Sequence, residues 1–152
     1  IIPSILFQFF IGGGEEEFGW RGFALDTLQS HWTALAASIV LGLIHTAWHL
    51  PLFFIRGVSQ YTMSFWLFML TGPAISILFT WFYNSTGKKL FSAWLFHATL
   101  NASFGIYPLF PDAIGPDQTG FLILCGTLWA WALIVIAFFG SKKLARQKEI
   151  SG

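Results

Sequence analysis

The residues at positions 62–83 read TMSFWLFMLTGPAISILFTWFY, an apolar stretch without a charged side chain. A helix that crosses a bilayer needs about 20 mostly apolar residues, so this stretch alone predicts a membrane span. Gly72-Pro73 in its middle predicts a kink. Further apolar segments lie at 31–55, 90–108 and 119–140, and a shorter one lies at 1–14. The predicted fold class is an all-α polytopic transmembrane helical bundle with about four to five spans.

The composition agrees with a membrane protein. Of the 152 residues, 55% are apolar and only 10% are charged, and the mean hydropathy is +0.66. A soluble globular domain has about 25% charged residues, so this chain has too few charges to cover a surface that faces water. The single cysteine, Cys125, lies in an apolar run and predicts a buried thiol rather than a disulfide.

Basic residues predict the orientation of the spans. They concentrate in the loop at 88–89 and in the tail at 141–152, which the positive-inside rule places on the cytoplasmic side. Five alternating spans put both regions on that side, together with the segment around Arg21. Arg56 and the acidic loop at 110–119 then fall on the opposite side. We expect 141–152 to be a solvated, basic cytoplasmic tail and 18–30 to form a short helix in the interface plane.

Three polar clusters interrupt the apolar sequence, at 15–21, 45–51 and 97–101. An ionisable group inside a membrane is costly, so each cluster is a candidate functional site. Each cluster contains a pair of polar residues four positions apart, which share one helix face. The pairs are Glu17 with Arg21, His45 with His49, and His97 with Asn101. We expect these pairs to converge in one polar cavity between helices.

The residue types suit hydrolysis. A carboxylate can take a proton from water, and imidazoles can share that work or bind a metal that lowers the pKa of the water. An amide and a protonated imidazole can stabilise an oxyanion. Structural alternatives stay open for each group taken singly. A histidine or Asn101 can simply hydrogen-bond between helices, and Glu17 with Arg21 can be a surface pair that sets topology.

Several hydrolase and nucleotide-binding motifs are absent. The second cluster has Thr46 where the zinc motif His-Glu-x-x-His requires Glu. A Gly-x-Ser-x-Gly nucleophile elbow does not occur. The glycines at 12–14 lack the lysine and the spacing of a phosphate-binding loop.

The three clusters resemble the motifs of a known family. Residues 16–21 match Glu-Glu-x-x-x-Arg, His49 with Leu50-Pro51 resembles the motif usually written Phe-x-x-x-His, and residues 97–101 match His-x-x-x-Asn. Over about residues 10–105, the chain resembles the CAAX protease and bacteriocin-processing (CPBP, or Abi) family, which is related to the Ras-converting CAAX endoproteases. The resemblance implies one intramembrane protease domain over 1–152. Because the chain opens on Ile1, we expect further spans upstream.

The resemblance also implies roles for individual residues. Glu16 and His49 are expected to activate the water, Arg21 to hold the acidic pair, and the third motif to stabilise the oxyanion. The implied catalytic residues are Glu16, Glu17, Arg21, His49, His97 and Asn101. At the position where the second motif usually has Phe, this chain has His45. It is a further catalytic or metal-binding group or a packing residue, and we favour packing.

The use of a metal stays open. Glu16, His49 and His97 are suited to hold a catalytic Zn²⁺ with an open fourth position. The same residues suit a metal-free mechanism that depends on glutamate. If a metal occupies Glu16, Glu17 becomes the candidate for the base.

The predicted function is an intramembrane endopeptidase that uses a water activated by Glu and His. The implied substrates are CAAX-type prenylated proteins or bacteriocin-like peptides, and the implied partners are the lipid bilayer and the substrate, with no nucleic acid. The alternatives are a non-catalytic membrane immunity or interaction protein on the same scaffold and a proton-coupled transporter. We predict a multi-pass integral membrane protein, and the Trp-His-Leu-Pro style of the second motif favours a bacterial cell membrane.

Overall fold

The computed structural model describes residues 2–104 and 117–146, and all regular secondary structure in these residues is helical. The helix α1 spans Ile2–Phe10. A composite helix, α2, follows and is built from a 3₁₀ turn, an α turn, a π segment and a second α turn. These parts are Gly14–Glu16, Glu17–Gly19, Trp20–Leu25 and Asp26–Gln29. The predicted all-α class is confirmed.

Four longer helices complete the described bundle. They are α3 (Ala34–Trp48), α4 (Phe65–Ser85), α5 (Leu90–Phe104) and α6 (Thr119–Phe139). Between α3 and α4 lie two 3₁₀ turns, Leu50–Phe54 and Ser59–Thr62. Three stretches are long and apolar enough to cross a membrane, which are Ala34–Phe54, Phe65–Ser85 and Thr119–Phe139. Within the described residues, α1 and α5 are shorter than these three stretches. Positions 105–108, the end of the predicted span at 90–108, lie outside the described residues.

Small residues let α3 and α4 pack closely. A side-chain carbon on Gly42 would lie 2.7 Å from the carbonyl oxygen of Gly72, so the two backbones leave no room for one. Helices in membranes use such small residues to approach each other. The α4 helix continues through Pro73 from Phe65 to Ser85. Nearby, the buried Ser38 hydroxyl donates to the Thr80 hydroxyl at 2.7 Å and joins the same two helices.

The two basic stretches lie at one end of the bundle. Lys88 pairs with Asp26 at 2.8 Å, and the side chain of Asn84 donates to the carbonyl oxygen of Lys143. At the other end, Gln118 accepts a hydrogen bond from the backbone of Ser64. The basic loop at 88–89 and the first part of the tail are therefore on the same side, as the charge pattern predicts.

In the first part of the predicted solvated tail, Leu144 is buried, whereas the side chains of Ser141, Lys142, Lys143 and Arg146 are exposed. Leu144 has no exposed surface and belongs to a core cluster with Ala34 and Ile77. The backbone amides that open α3 donate to the carbonyl oxygens of residues 141 and 142. The start of a helix has amides without partners inside the helix, and this turn of chain supplies acceptors for two of them. The basic side chains of 141–146 are exposed and Leu144 anchors this stretch to the bundle, while 147–152 lie outside the described residues.

One face of the α2 helix is buried against the rest of the bundle. Arg21 and Leu25 are buried on one side of it, whereas Phe18 and Phe23 are exposed on the other. The exposed phenyl rings agree with an apolar surround, but the buried face is part of the bundle interior. This burial brings the first polar cluster beside α3 and α5.

Candidate active site

All three polar clusters meet at one cavity of about 440 Å³. The α2 helix supplies Glu16 and Arg21, α3 and its end supply His45 and His49, and α5 supplies the third cluster. The polar residues among those that line the cavity include Glu16, Arg21, His45, His49, His97 and Asn101. The remaining wall is largely apolar, with Leu52, Met63, Phe68, Ile75 and Phe79. A concave, mostly apolar site with a few convergent polar groups is the usual form of an enzyme pocket.

Glu16 faces the cavity and contacts a histidine that the motif does not require. The Nε2 atom of His45 lies 2.9 Å from Oε2 of Glu16, and the indole of Trp20 donates to the same oxygen at 3.3 Å. The Glu16 carboxylate therefore lies at the cavity with His45 and Trp20 beside one of its oxygens.

His49 has its ring orientation fixed by the backbone. Its Nδ1–H donates to the carbonyl oxygen of His45 at 2.9 Å, one helical turn earlier. A carbonyl only accepts, so this bond places the proton on Nδ1 and leaves Nε2 with a free lone pair. The ring is half-buried and lies 5.6 Å from that of Phe68. His49 thus presents the Nε2 side of its ring to the cavity.

A buried cluster made of Glu17, Arg21 and His97 adjoins the cavity, with Arg21 and His97 at its wall and Glu17 behind them. Oε1 of Glu17 accepts from the guanidinium of Arg21 at 2.9 Å and from Nδ1–H of His97 at 2.7 Å. Glu17 is 0% exposed and Arg21 is 1% exposed, and the guanidinium stacks 4.2 Å from the ring centre of Phe79. The Glu17 carboxylate and the Arg21 guanidinium carry opposite charges. Each offsets the cost of burying the other, which an unpaired buried ion would bear in full.

The third motif points at the glycine turn that precedes α2. The amide of Asn101 donates to the carbonyl oxygen of Gly12 at 2.9 Å, which uses one of its two N–H groups. Gly13 has φ +117, a conformation that favours glycine. A side-chain carbon on Gly13 would lie 3.0 Å from Nδ2 of Asn101, 3.2 Å from Nε2 of His97 and 3.6 Å from Oε1 of Glu16. Glycine therefore keeps open the space in front of these three polar atoms.

The structure brings the six predicted catalytic residues together, but they differ in their access to the cavity. Five of them line the cavity, whereas Glu17 is sealed behind it. The idea that Glu17 takes the base role when a metal occupies Glu16 does not fit this burial. Sequence reasoning missed Gly13, whose only signal is its position in the glycine run before the first motif. It favoured packing for His45, whose ring does pack against Trp20 and whose Nε2 also contacts Glu16.

The residues whose potential ligand atoms converge differ from the three that were predicted to hold a metal. Among the described residues, a group able to hold a metal consists of Glu16, His45 and His49, whose ligand atoms lie within 4.8 Å of one another. His97, which the sequence placed in the set, is not in this group. Its ring centre lies 6.3 Å from that of His45, and its Nδ1 is held by Glu17.

Comparisons with known proteins agree with the three motifs. A family model described as Type II CAAX prenyl endopeptidase Rce1-like matches residues 1–103. CAAX prenyl protease 2 of Methanococcus maripaludis is 31% identical over 150 residues, which cover 95% of this chain and 52% of that protein. The chain thus spans about half the length of the curated relative it matches. The chain belongs to the Rce1-like CAAX prenyl endopeptidase family.

Proposed function

We propose that this chain carries the active site of an intramembrane endopeptidase that hydrolyses a peptide bond of a membrane-associated substrate. The observation that supports this best is the meeting of one carboxylate, three imidazoles and one amide at a single cavity. The side chains come from separate helices, so their convergence is a property of the fold and not of one local motif. Family membership supports the same reaction class.

The depth of the site supports cleavage within the membrane. The α3 helix begins at the basic end of the bundle, and His45 lies roughly 16 Å further along it at about 1.5 Å per residue. His97 lies roughly 10 Å along α5 from the same end by the same rise. The hydrocarbon core of a bilayer is about 30 Å thick, so these distances support a cavity in its interior.

The attacking water is placed between Glu16 and His49. The ligand atoms of these residues lie within 4.8 Å of one another. One water can bridge such a gap with two hydrogen bonds of about 2.8 Å each. The Glu16 carboxylate takes a proton as the water oxygen attacks the scissile carbonyl, and it passes this proton to the leaving amine when the C–N bond breaks. The free Nε2 of His49 accepts from the water and orients it.

His97 and Asn101 are proposed to hold the oxyanion. The second amide N–H of Asn101 and, in its protonated form, the Nε2–H of His97 point to the open side of Gly13. The Glu17 carboxylate, which accepts from Nδ1 of His97, stabilises the imidazolium. In this mechanism Glu17 and Arg21 are positioning residues, since they act through His97.

The proposed substrate is a prenylated protein with a CAAX terminus. The relative named CAAX prenyl protease supports this class, and the aromatic and aliphatic wall of the cavity suits a substrate that carries a lipid. A bacteriocin-like peptide is the alternative that the family resemblance allows. Location in a bacterial cell membrane stays a prediction, whereas the relative from Methanococcus maripaludis is archaeal.

The test is cleavage of a prenylated CAAX peptide in liposomes by the full chain. We expect Glu16→Gln to abolish the liberated carboxyl-terminal tripeptide, while Glu15→Gln retains it. Glu15 is the neighbouring, exposed carboxylate, so it is the matched control. A wild-type chain that cleaves neither this peptide nor a transmembrane peptide library contradicts the proposal. An unchanged cellular effect of Glu16→Gln would favour a non-catalytic immunity or interaction protein, and loss of a proton-driven flux would favour a transporter.

A further inference from the structure

The exposed basic residues at one end of the bundle form a surface that two segments of the chain share. One segment is the loop between α4 and α5, and the other is the turn that follows α6. The side chain of Asn84, at the end of α4, donates to the carbonyl oxygen of Lys143 at 2.7 Å, which holds the turn beside the loop. We call this the basic surface, and its exposed residues are Lys88, Lys89, Lys142, Lys143 and Arg146.

The turn after α6 is fixed to the bundle by its backbone and by one side chain. The first two amides of α3 donate to the carbonyl oxygens of Lys142 and Ser141 at 3.1 and 3.0 Å. Leu144 is fully buried and has φ +46, a left-handed conformation that few residues other than glycine adopt, so packing holds it there. The basic side chains are therefore presented by a folded turn and not by a loose tail.

Most of the positive charge on the basic surface is uncompensated. Lys88 pairs with Asp26 at 2.8 Å. Within residues 2–104 and 117–146, the other four basic side chains have no carboxylate partner. Five cations and one anion leave the surface with a net charge of +4. Such a surface attracts anions, and it does so without a buried charge that must first be desolvated.

Exposed aromatic rings place the basic surface at the boundary between lipid and water. Trp32 is 50% exposed and comes two residues before Ala34, whose amide bonds to the basic turn. Phe91 is 64% exposed and follows the basic loop directly. Tryptophan is enriched at the level of the lipid headgroups. At that level the phosphates of the lipids are the anions with the highest local concentration.

We propose that the basic surface binds the phosphate headgroups of anionic lipids. Basic residues beside the end of a membrane span each strengthen the attraction to anionic lipids by about five-fold. The folded turn adds the residues after α6 to those of the loop after α4, so that one lipid patch meets both segments. A bound lipid then also bridges the ends of α4 and α6. This surface is separate from the polar cavity and has no part in the proposed hydrolysis.

The experiment measures lipid binding by the full chain in detergent with native mass spectrometry. The protein is titrated with phosphatidylglycerol and, separately, with phosphatidylcholine of the same acyl chains, whose headgroup has no net charge. We expect the wild type to bind the first phosphatidylglycerol more than roughly ten-fold tighter than phosphatidylcholine. Lys89→Gln and Lys143→Gln, one from each segment, should each weaken phosphatidylglycerol binding by about five-fold and leave phosphatidylcholine binding unchanged.

A matched control tests whether position or total charge decides the binding. Arg56 is an exposed basic residue in the linker between α3 and α4, at the opposite end of the bundle. Arg56→Gln changes the net charge by the same amount as either lysine variant, and it should bind phosphatidylglycerol like the wild type. An equal loss in Arg56→Gln, or a wild type without a preference for phosphatidylglycerol, would overturn the inference.

A second variant tests the folded turn. Leu144→Ala keeps every charge but removes the anchor, so it should weaken phosphatidylglycerol binding by about five-fold or more, as loss of one basic residue does. Unchanged affinity would mean that a loose charged tail suffices, and displacement of the lipid by an equal concentration of glycerol phosphate would mean a site for soluble phosphate. Either result contradicts the inference. If circular dichroism shows that Leu144→Ala loses helix, Lys143→Gln at its exposed position carries the test. Because the readout is lipid binding, its failure is independent of a failure to cleave peptides.

Discussion

Glu16 and Glu17 are neighbours in sequence, yet they belong to two different regions of the molecule. Glu16 is part of the cavity face, together with His45 and His49, and its side chain retains 22% exposure. Glu17 is part of the buried cluster with Arg21 and His97 and has none. Water can therefore reach the carboxylate of Glu16, whereas the carboxylate of Glu17 contacts only protein.

This difference in exposure suits Glu16 to react with water and Glu17 to hold its neighbours in position. A carboxylate that touches water can accept a proton, whereas one held between a guanidinium and an imidazole is a fixed negative charge. The fixed charge orients His97, and the accessible one is free to react. Consecutive residues on a helix point about 100° apart, so one turn of α2 serves both regions.

The largest effect is expected from breaking the cavity face at Glu16. Glu16→Gln keeps the shape but removes the proton acceptor, so cleavage of a prenylated peptide should fall by roughly 10²–10⁴-fold or more. Folding should be unaffected, because the side chain is half-buried and has no cationic partner that is fully buried. The initial rate of peptide release measures this. A loss of no more than a few-fold would remove Glu16 from the mechanism.

The buried cluster should instead respond through stability. Glu17→Gln leaves Arg21 without a counter-charge in the interior, which we expect to lower the free energy of unfolding by about 3–5 kcal/mol. Denaturant unfolding in detergent, followed by circular dichroism, measures this. Adding Arg21→Met should recover much of the loss, since the buried charge is then gone. Equal stability of Glu17→Gln and wild type would mean that the pair is not a buried ion pair.

A smaller effect is expected at the third motif. Asn101→Ala removes one proposed oxyanion donor, so the turnover number should fall by about 10²–10³-fold while traces of activity remain. The Michaelis constant should change little, because the donor acts mainly in the transition state. Single-turnover kinetics on the same peptide separate the two constants. A change confined to the Michaelis constant would assign Asn101 to substrate binding.

The smallest effect is expected from Ser38, which lies outside both the cavity face and the buried cluster. Ser38→Ala removes the hydrogen bond to Thr80 between α3 and α4. Such interhelical bonds contribute about 0.6 kcal/mol on average in a membrane protein. We therefore expect a slight loss in the free energy of unfolding and unchanged cleavage. A large loss of cleavage would mean that the spacing of these two helices controls the cavity.

Much of the fold and of the site follows from local patterns. The apolar stretches at 31–55, 62–83 and 119–140 predict helices close to the observed α3, α4 and α6, because span length and hydropathy are local properties. The helical spacing of each polar pair also predicts a shared face. The burial of Leu144 was not predicted, because the basic residues on both sides of it make 141–146 resemble a fully solvated tail.

The sequence by itself determined that the chain is a helical membrane protein and which polar residues are candidates for its chemistry, since each follows from composition, period and motif. Only the tertiary structure decided how those residues divide between the cavity face and the buried cluster. It also decided that His45 contacts Glu16 and that Gly13 keeps space open before His97. These distinctions depend on distances between separate helices, and residue types and spacing along one helix do not specify such distances.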